Sequence, residues 1–224
     1  MKYIHNYNIF ESISNNQFLK TKKGIEAWLN KVGIYDDYFI NNNLIVDVYD
    51  DVNISSKNLK IIPLQFGKIE GYFDCSENKL TSLKGSPVEL KENFCCQRNK
   101  LTSLEGSPYV VHGDFYGNDN KLKSLKGCPK EINGEFNLIR NNITDVHGFP
   151  KLKGNFYFQH NPIATFLDYR DDPEDVFTWI EYLNDYNVIS GEKIFIEKLK
   201  EVLYLLNIDD FNFKELKKYY TIID

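Results

Sequence analysis

Several things are scarce in this 224-residue chain, and each scarcity excludes a class. Alanine occurs only at Ala27 and Ala164, while Asn, Lys, Ile, Tyr and Phe abound. That bias suits an AT-rich genome and says nothing direct about fold. No apolar run approaches the ~18 residues needed to span a bilayer. The opening MKYIHNYNIFES has no basic stretch followed by an apolar one, so no secretory signal is read there, and a cytoplasmic location is expected. Net basic charge is missing too. The formal charge is −5, which argues against a non-specific nucleic-acid binder. The four cysteines (Cys75, Cys95, Cys96, Cys128) form no CxxC pair and share no metal-site spacing with His5, His112, His147 or His160. Without export, reduced thiols are expected.

Catalytic wording is equally scarce. There is no GxSxG, HExxH, phosphate loop or EF-hand loop, and the histidines fall in different columns of the pattern described next. The string GNDNK is a weak calcium signal by itself. No cofactor and no metal are expected.

What the chain has is a repeat. KLTSLKGSPVELKENFCCQRN, KLTSLEGSPYVVHGDFYGNDN and KLKSLKGCPKEINGEFNLIRN follow one another, and the shorter NITDVHGFPKLKGNFYFQHN comes fourth. A Phe column (Phe73, Phe94, Phe115, Phe136, Phe156) and an Asn column (Asn78, Asn99, Asn120, Asn141, Asn161) both step by 21, 21, 21 and 20 residues. Upstream, Val52 fits the Phe column but Lys57 replaces Asn, giving six turns with the first irregular. A further apolar column lies four residues before the Phe (Ile69, Leu90, Val111, Ile132, Leu152).

Each position has a physical task. Residues two apart on a strand share a face, so Phe73 and Cys75, and likewise Cys96, should point inward. The Asn side chain can satisfy backbone groups of adjacent turns where the chain bends away. Leu80 and Leu83 should fill the core from the opposite wall, and Gly85–Pro87 should turn the chain back. One such turn cannot bury its apolar face alone, whereas three or more stacked turns can. A β-sandwich with regular turns is the competing reading, and matched Phe, Asn, Gly and Pro columns disfavour it.

Stacked repeats expose apolar ends, and the flanks read as caps. TKKGIEAWLNKVG sets Ile25, Trp28, Leu29 and Val32 at helical spacing with Gly33 as a stop. YFINNNLIVDVYDD reads as a hairpin with an Asn-rich turn. Residues 1–14 are expected to be poorly ordered. Past Asn161, Asp172 and Pro173 look like an N-cap and first residue of a helix carrying Val176, Phe177, Ile180 and Leu183. Ser190 is placed to cap a second helix with Phe195, Leu199, Val202 and Leu206, and Asn212 with Glu215 makes a capping-box-like pair. The division is therefore a helix-hairpin cap at 1–42, a solenoid at 43–166 and a helical cap at 167–224.

The pattern F-x-x-x-x-N-x-L-x-x-L-x-G-x-P resembles the leucine-rich repeat LxLxxNxLxxL, with Phe in the first Leu position. Its wording, F-x-C-S/C-x-x-N-K-L-T-S-L-x-G-S-P, is similar to small leucine-rich-repeat proteins encoded by tailed bacteriophages and some bacteria, over about residues 43–166. The resemblance implies an α/β, right-handed leucine-rich-repeat solenoid of 20–22-residue turns, and no chemistry. Bacterial leucine-rich-repeat ubiquitin-ligase effectors carry their catalytic Cys in a C-terminal domain, whereas every Cys here lies in the repeats.

Residues flanking the inward positions should form a concave, partner-binding face. From four columns we select Tyr72, Asp74, Arg98, Asp114, Tyr116, Asp119, Glu135, an exposed Ile139, Arg140, Tyr157 and His160. Tyr and Arg are interface hot-spot residues, while the acids should repel duplex nucleic acid. Lys79, Lys100 and Lys121 stack one per turn with Lys84 and Lys126 nearby. Such a ladder could meet phosphates, although a solvated edge is the ordinary case. The leading expectation is a phage-derived, monomeric protein-interaction module that engages a host or phage protein and interferes with a host enzyme or defence system. A virion or surface component that oligomerises is the alternative. An enzyme with a site between repeats and C-terminal cap is a third reading, for which no residue set argues.

Overall fold

A computed structural model describes residues 18–167, 173–208 and 211–224. The expectation for residues 1–14 and the Asp172 cap lie outside the described residues.

The repeat folds as a β-solenoid in which each turn contributes two short strands to two parallel sheets. The first sheet orders β1 (Tyr38–Ile40), β2 (Ile45–Val48), β4 (Gln65–Ile69), β6 (Glu89–Leu90), β8 (Val110–Val111), β10 (Glu131–Ile132) and β12 (Lys151–Leu152). The second orders β3 (Val52–Asn53), β5 (Phe73–Asp74), β7 (Phe94–Cys95), β9 (Phe115–Tyr116), β11 (Phe136–Asn137) and β13 (Phe156–Tyr157). Within these two sheets, β1 and β2 are the one antiparallel pair among the described residues. About five turns separate the six strands of the second sheet.

Register follows the sequence period. Phe73 sits beside Phe94, Phe94 beside Phe115, Phe115 beside Phe136 and Phe136 beside Phe156. The rings between Phe73 and Phe136 are buried, with successive centroids 5.3–5.7 Å apart, each burial contributing roughly 1.5–3 kcal/mol. The apolar column four residues upstream forms the first sheet, where Val48 pairs with Ile69 and so heads that column. The Phe column predicts one strand in each turn, and the structure has two. The second arises because Leu90, Val111 and Ile132 need a wall of their own, and two-residue strands leave no alternation to read.

The third wall has no regular structure. Leu80, Leu83, Leu101, Leu104, Leu122 and Leu125 point inward from it. Gly85, Gly106, Gly127 and Gly148 close it at φ between 82° and 98°, where a side chain would be strained. No helix lies inside the repeats, so the expected α/β character is corrected: the helices flank a β core.

At the N-terminal end, α1 (Lys22–Val32) begins at Thr21, whose hydroxyl accepts from Gly24 N–H at 3.1 Å, and ends at left-handed Gly33. Ile25, Leu29 and Val32 are buried, with Trp28 half-buried. The hairpin turn is held by Asn41 Oδ1, which accepts from Asn43 and Ile45 N–H.

At the other end come α2 (Ala164–Leu167), α3 (Pro173–Asp185), β14 (Ile189–Ser190), β15 (Lys193–Phe195), α4 (Ile196–Leu205), α5 (Phe213–Leu216) and β16 (Thr221–Ile223). Trp179 Nε1 donates to Phe166 O at 2.9 Å, and Tyr220 Oη donates to Thr144 O at 2.8 Å. One apolar core thus runs from Ile25 to Tyr220. Ser190 does not cap a helix. It ends β14, Gly191 turns at φ 57°, and α4 starts at Ile196 without a side-chain cap. The reason is that Ile189 and Ile194 pair across the hairpin and Ile194 pairs again with Ile222, contacts that a helix from 191 would forfeit. Asn212 does cap α5, accepting from Lys214 N–H at 3.1 Å, but Glu215 turns away to Lys218 instead of closing a capping box. The C-terminal part is therefore mixed, with a three-stranded sheet among its helices. No helix among the described residues is long and apolar enough to cross a membrane.

Candidate functional site

The outer face of the second sheet is held by two polar ladders. The inner one is the Asn column. Asn120 Oδ1 accepts from Leu101 N–H of the preceding turn at 3.0 Å, and its Nδ2 donates to Cys96 O at 3.0 Å and Gly117 O at 3.2 Å. Asn99, Asn141 and Asn161 repeat the arrangement. Each is nearly buried, so backbone groups at the bend find amides where water is excluded.

The outer ladder precedes the Phe column. Asp51 Oδ1 accepts from Tyr72 N–H, Asn93 Oδ1 from Asp114 N–H and Asp114 Oδ1 from Glu135 N–H, at 2.7–2.9 Å. These side chains lie over Gly71, Gly113 and Gly134, where a Cβ would land on the accepting oxygen. In the turn where Glu92 replaces the glycine, the preceding residue is Tyr72, whose side chain needs no such seat. The covariation of Asp/Asn with Gly twenty residues later is present in the sequence and went unread.

The outward strand residues divide in two. Asn53, Asp74 and Asn137 fold back to accept from N–H groups two residues on, at Ser55, Ser76 and Ile139. Tyr116 and Tyr157 instead stand on the face, with hydroxyls donating to Asp114 Oδ2 at 3.0 Å and Glu135 Oε1 at 3.3 Å. Burial, then the Asp114 hydrogen bond and charge, pushes the Tyr116 phenol up to about 12. Between Asp74 and Tyr116 lies the half-buried Cys95, absent from the expected set. Burial, and then Asp74 and Asp114, raises its thiol to about 12.

Where each strand ends, one non-glycine residue per turn is left-handed: Ser56, Glu77, Arg98, Asp119, Arg140 and His160, at φ 53–62°. The charges in that column alternate and pair along the stack. Arg98 Nη1 meets Glu77 Oε1 at 2.6 Å, and Arg140 Nη1 lies 3.8 Å from Asp119 Oδ1. Arg98, and secondarily Ser56, holds the Glu77 carboxyl below its usual range.

The expected residues therefore do share one face. Asp114 with Tyr116 and Glu135 with Tyr157 are joined directly, whereas Asp74 and Asp114 are also occupied in holding backbone. Arg98 pairs with Glu77, which the selection had left out. Ile139 is half-buried, not exposed; its backbone N–H donates to Asn137 Oδ1 where the strand bends away.

Elsewhere, a cleft of about 500 Å³ between the last turns and the β14–β15 hairpin is lined by Ser124, Lys126, Asp145 and His147 among others, with His147 Nδ1 3.6 Å from Asp145 Oδ1. No group of three His, Cys, Asp or Glu side chains among the described residues is arranged to hold a metal ion. No protein-family model, curated protein or solved structure matches the chain.

Proposed function

We propose that this chain is a protein-interaction module of the leucine-rich-repeat kind, phage-derived and acting in the host cytoplasm, whose second-sheet face docks a host or phage protein. The observation that carries the reading is the pair of tyrosines fixed by carboxylates on a face whose backbone is itself pinned by two ladders. Side chains already held in one rotamer lose little entropy on binding, and Tyr beside charge is the usual composition of an interface hot spot. Six strands at about 4.8 Å give a ladder of roughly 24 Å, the width of a standard patch of about 800 Å². Interference with a host enzyme or defence system is the purpose we assign, resting on the wording of the repeats.

The test is the double variant Tyr116→Ala/Arg140→Ala. A protein captured from lysate of the source cells by the wild-type chain should bind the variant at least tenfold more weakly, with Tm moving by less than about 2 °C. Binding that survives in the variant sinks the assignment. Mass photometry separates this from a structural, self-assembling component, which would run as an oligomer.

The flanking elements are, on the same reading, caps that cover the apolar ends of the stack. The half-buried Phe156 of the last turn, whose ring meets those of Phe149 and Phe177, and Leu152, packed against the core, support that role. A 1–161 fragment should aggregate or melt without cooperativity, and a monomeric, well-folded fragment would make the remainder an independent unit.

A further inference from the structure

The charge of this acidic chain is sorted by wall. The second-sheet face carries the acids of the strand and bend columns, answered only by two arginines that are already paired. The irregular third wall is the reverse. Its first four segments, 57–63, 79–87, 100–108 and 121–129, hold eight lysines and a single acid, Glu105, whereas the fifth, 142–150, carries Asp145 and no lysine. Backbone bonds from Lys79 N to Leu59 O, Lys100 N to Leu80 O and Lys121 N to Leu101 O, each 2.8 Å, lock these segments into register. Lys79, Lys100 and Lys121 thus form one exposed column, with Lys60 and Lys123 in the neighbouring column. Among the described residues Lys126 alone on this wall has an ion-pair partner, Glu105 Oε1 at 3.1 Å. Apart from Glu105, no acid lies on these four segments, so most of the acids that make the net charge negative do not neutralise them.

We infer that the first four segments of the third wall bind the phosphate backbone of duplex nucleic acid without reading its bases. Protein interfaces favour aromatic residues and Arg and deplete Lys, and these four segments contain no aromatic residue and no arginine. The same lack removes the stacking platforms that single strands need. Lysine with hydroxyls is phosphate chemistry, and Thr81 and Thr102 stand exposed beside the column. The Ser82 and Ser124 hydroxyls accept from Lys84 and Lys126 N–H, leaving their own protons to donate. Four stacked segments extend about 14 Å at 4.8 Å per step. A duplex presents about eight phosphates along that length with both strands counted. Six exposed lysines without an ion-pair partner among the described residues, Lys57, Lys60, Lys79, Lys100, Lys121 and Lys123, stand on these segments to meet those on the near side. The acidic sheet face would hold the duplex to this one side, so the low net charge read from sequence does not decide the matter.

The experiment is fluorescence anisotropy of the full chain with a labelled 20-base-pair duplex between 50 and 200 mM salt. Log affinity should fall with log salt at a slope of about −4 to −6, corresponding to roughly five to seven phosphates. The triple variant Lys79→Glu/Lys100→Glu/Lys121→Glu should abolish binding. A control with the same charge change, Lys31→Glu/Lys193→Glu/Lys217→Glu, should lose less than threefold. If the glutamate triple is misfolded by circular dichroism, the Lys→Gln triple must still lose at least tenfold. No binding at 50 mM salt overturns the inference, as does an equal loss in the control. Poly-L-glutamate competing as well as duplex would mean that an acidic protein surface is read. A single strand binding ten times more tightly than duplex would refute the absence of base contacts.

Discussion

Replacing Asn120 by Ala removes four hydrogen bonds, but they are not equivalent. Cys96 O keeps its bond from Asn99 Nδ2, and Gly117 O keeps its bond from Asn141 Nδ2. Asn118 O, only partly buried, keeps its bond from Arg98 N–H at 3.0 Å. Leu101 N–H is different: it sits at the buried bend, and Asn120 Oδ1 is the partner described for it. The cost is then chiefly one orphaned buried donor, about 1–3 kcal/mol, which for a chain of this length lowers Tm by roughly 2–12 °C. Asn120→Asp refines the argument. It retains the acceptor for Leu101 but turns a carboxylate toward the Cys96 and Gly117 carbonyls, so its carboxyl must titrate above the ordinary range. Its penalty should be present at neutral pH and relieved as pH falls through the raised pKa, whereas that of Asn120→Ala should not change with pH. Urea melts of both variants from pH 4 to 8 provide the measurement. A Tm within about 1 °C of wild type for Asn120→Ala would show that water replaces the amide and that the ladder is not structural.

Gly134→Ala should cost about 1–3 kcal/mol, since the new Cβ meets the Asp114 carboxylate and lies 2.8 Å from Gly113 backbone; Glu92→Gly in the same column should be close to neutral, and equal melts for the two would dismiss the Asp/Asn–Gly pairing. Burial raises the thiols of Cys75, Cys96 and Cys128, and Cys95 stands near 12, so Ellman's reagent at pH 8 should find no fast thiol in the native protein and four after denaturation. The Tyr116 phenol titrates above its unfolded value of about 10, so its stabilising contribution is complete below pH 10 and is lost as pH rises toward 12. Tyr116→Phe should lessen the alkaline destabilisation between those values, and an unchanged alkaline limb would count against the Asp114 bond.

The chain by itself determined the period. A bulky Phe and a buried Asn recurring every 21 residues admit few arrangements other than stacked turns, because each needs its counterpart in the next turn for contact or hydrogen bonds. Helix α1 and the Asn41 turn were legible for a related reason: their caps are bonds between residues two to four apart. What the tertiary structure decided are matters settled by residues about twenty positions apart or on another element. Leu90 and its column gained a sheet only through lateral neighbours. Ser190 became strand because Ile194 found Ile222, and Asp114 became a clamp because Gly134 left room above it. The two signs of charge, interleaved along the chain, separate onto different walls only when the turns stack. Net charge is a sum over residues, and a partner meets one wall at a time.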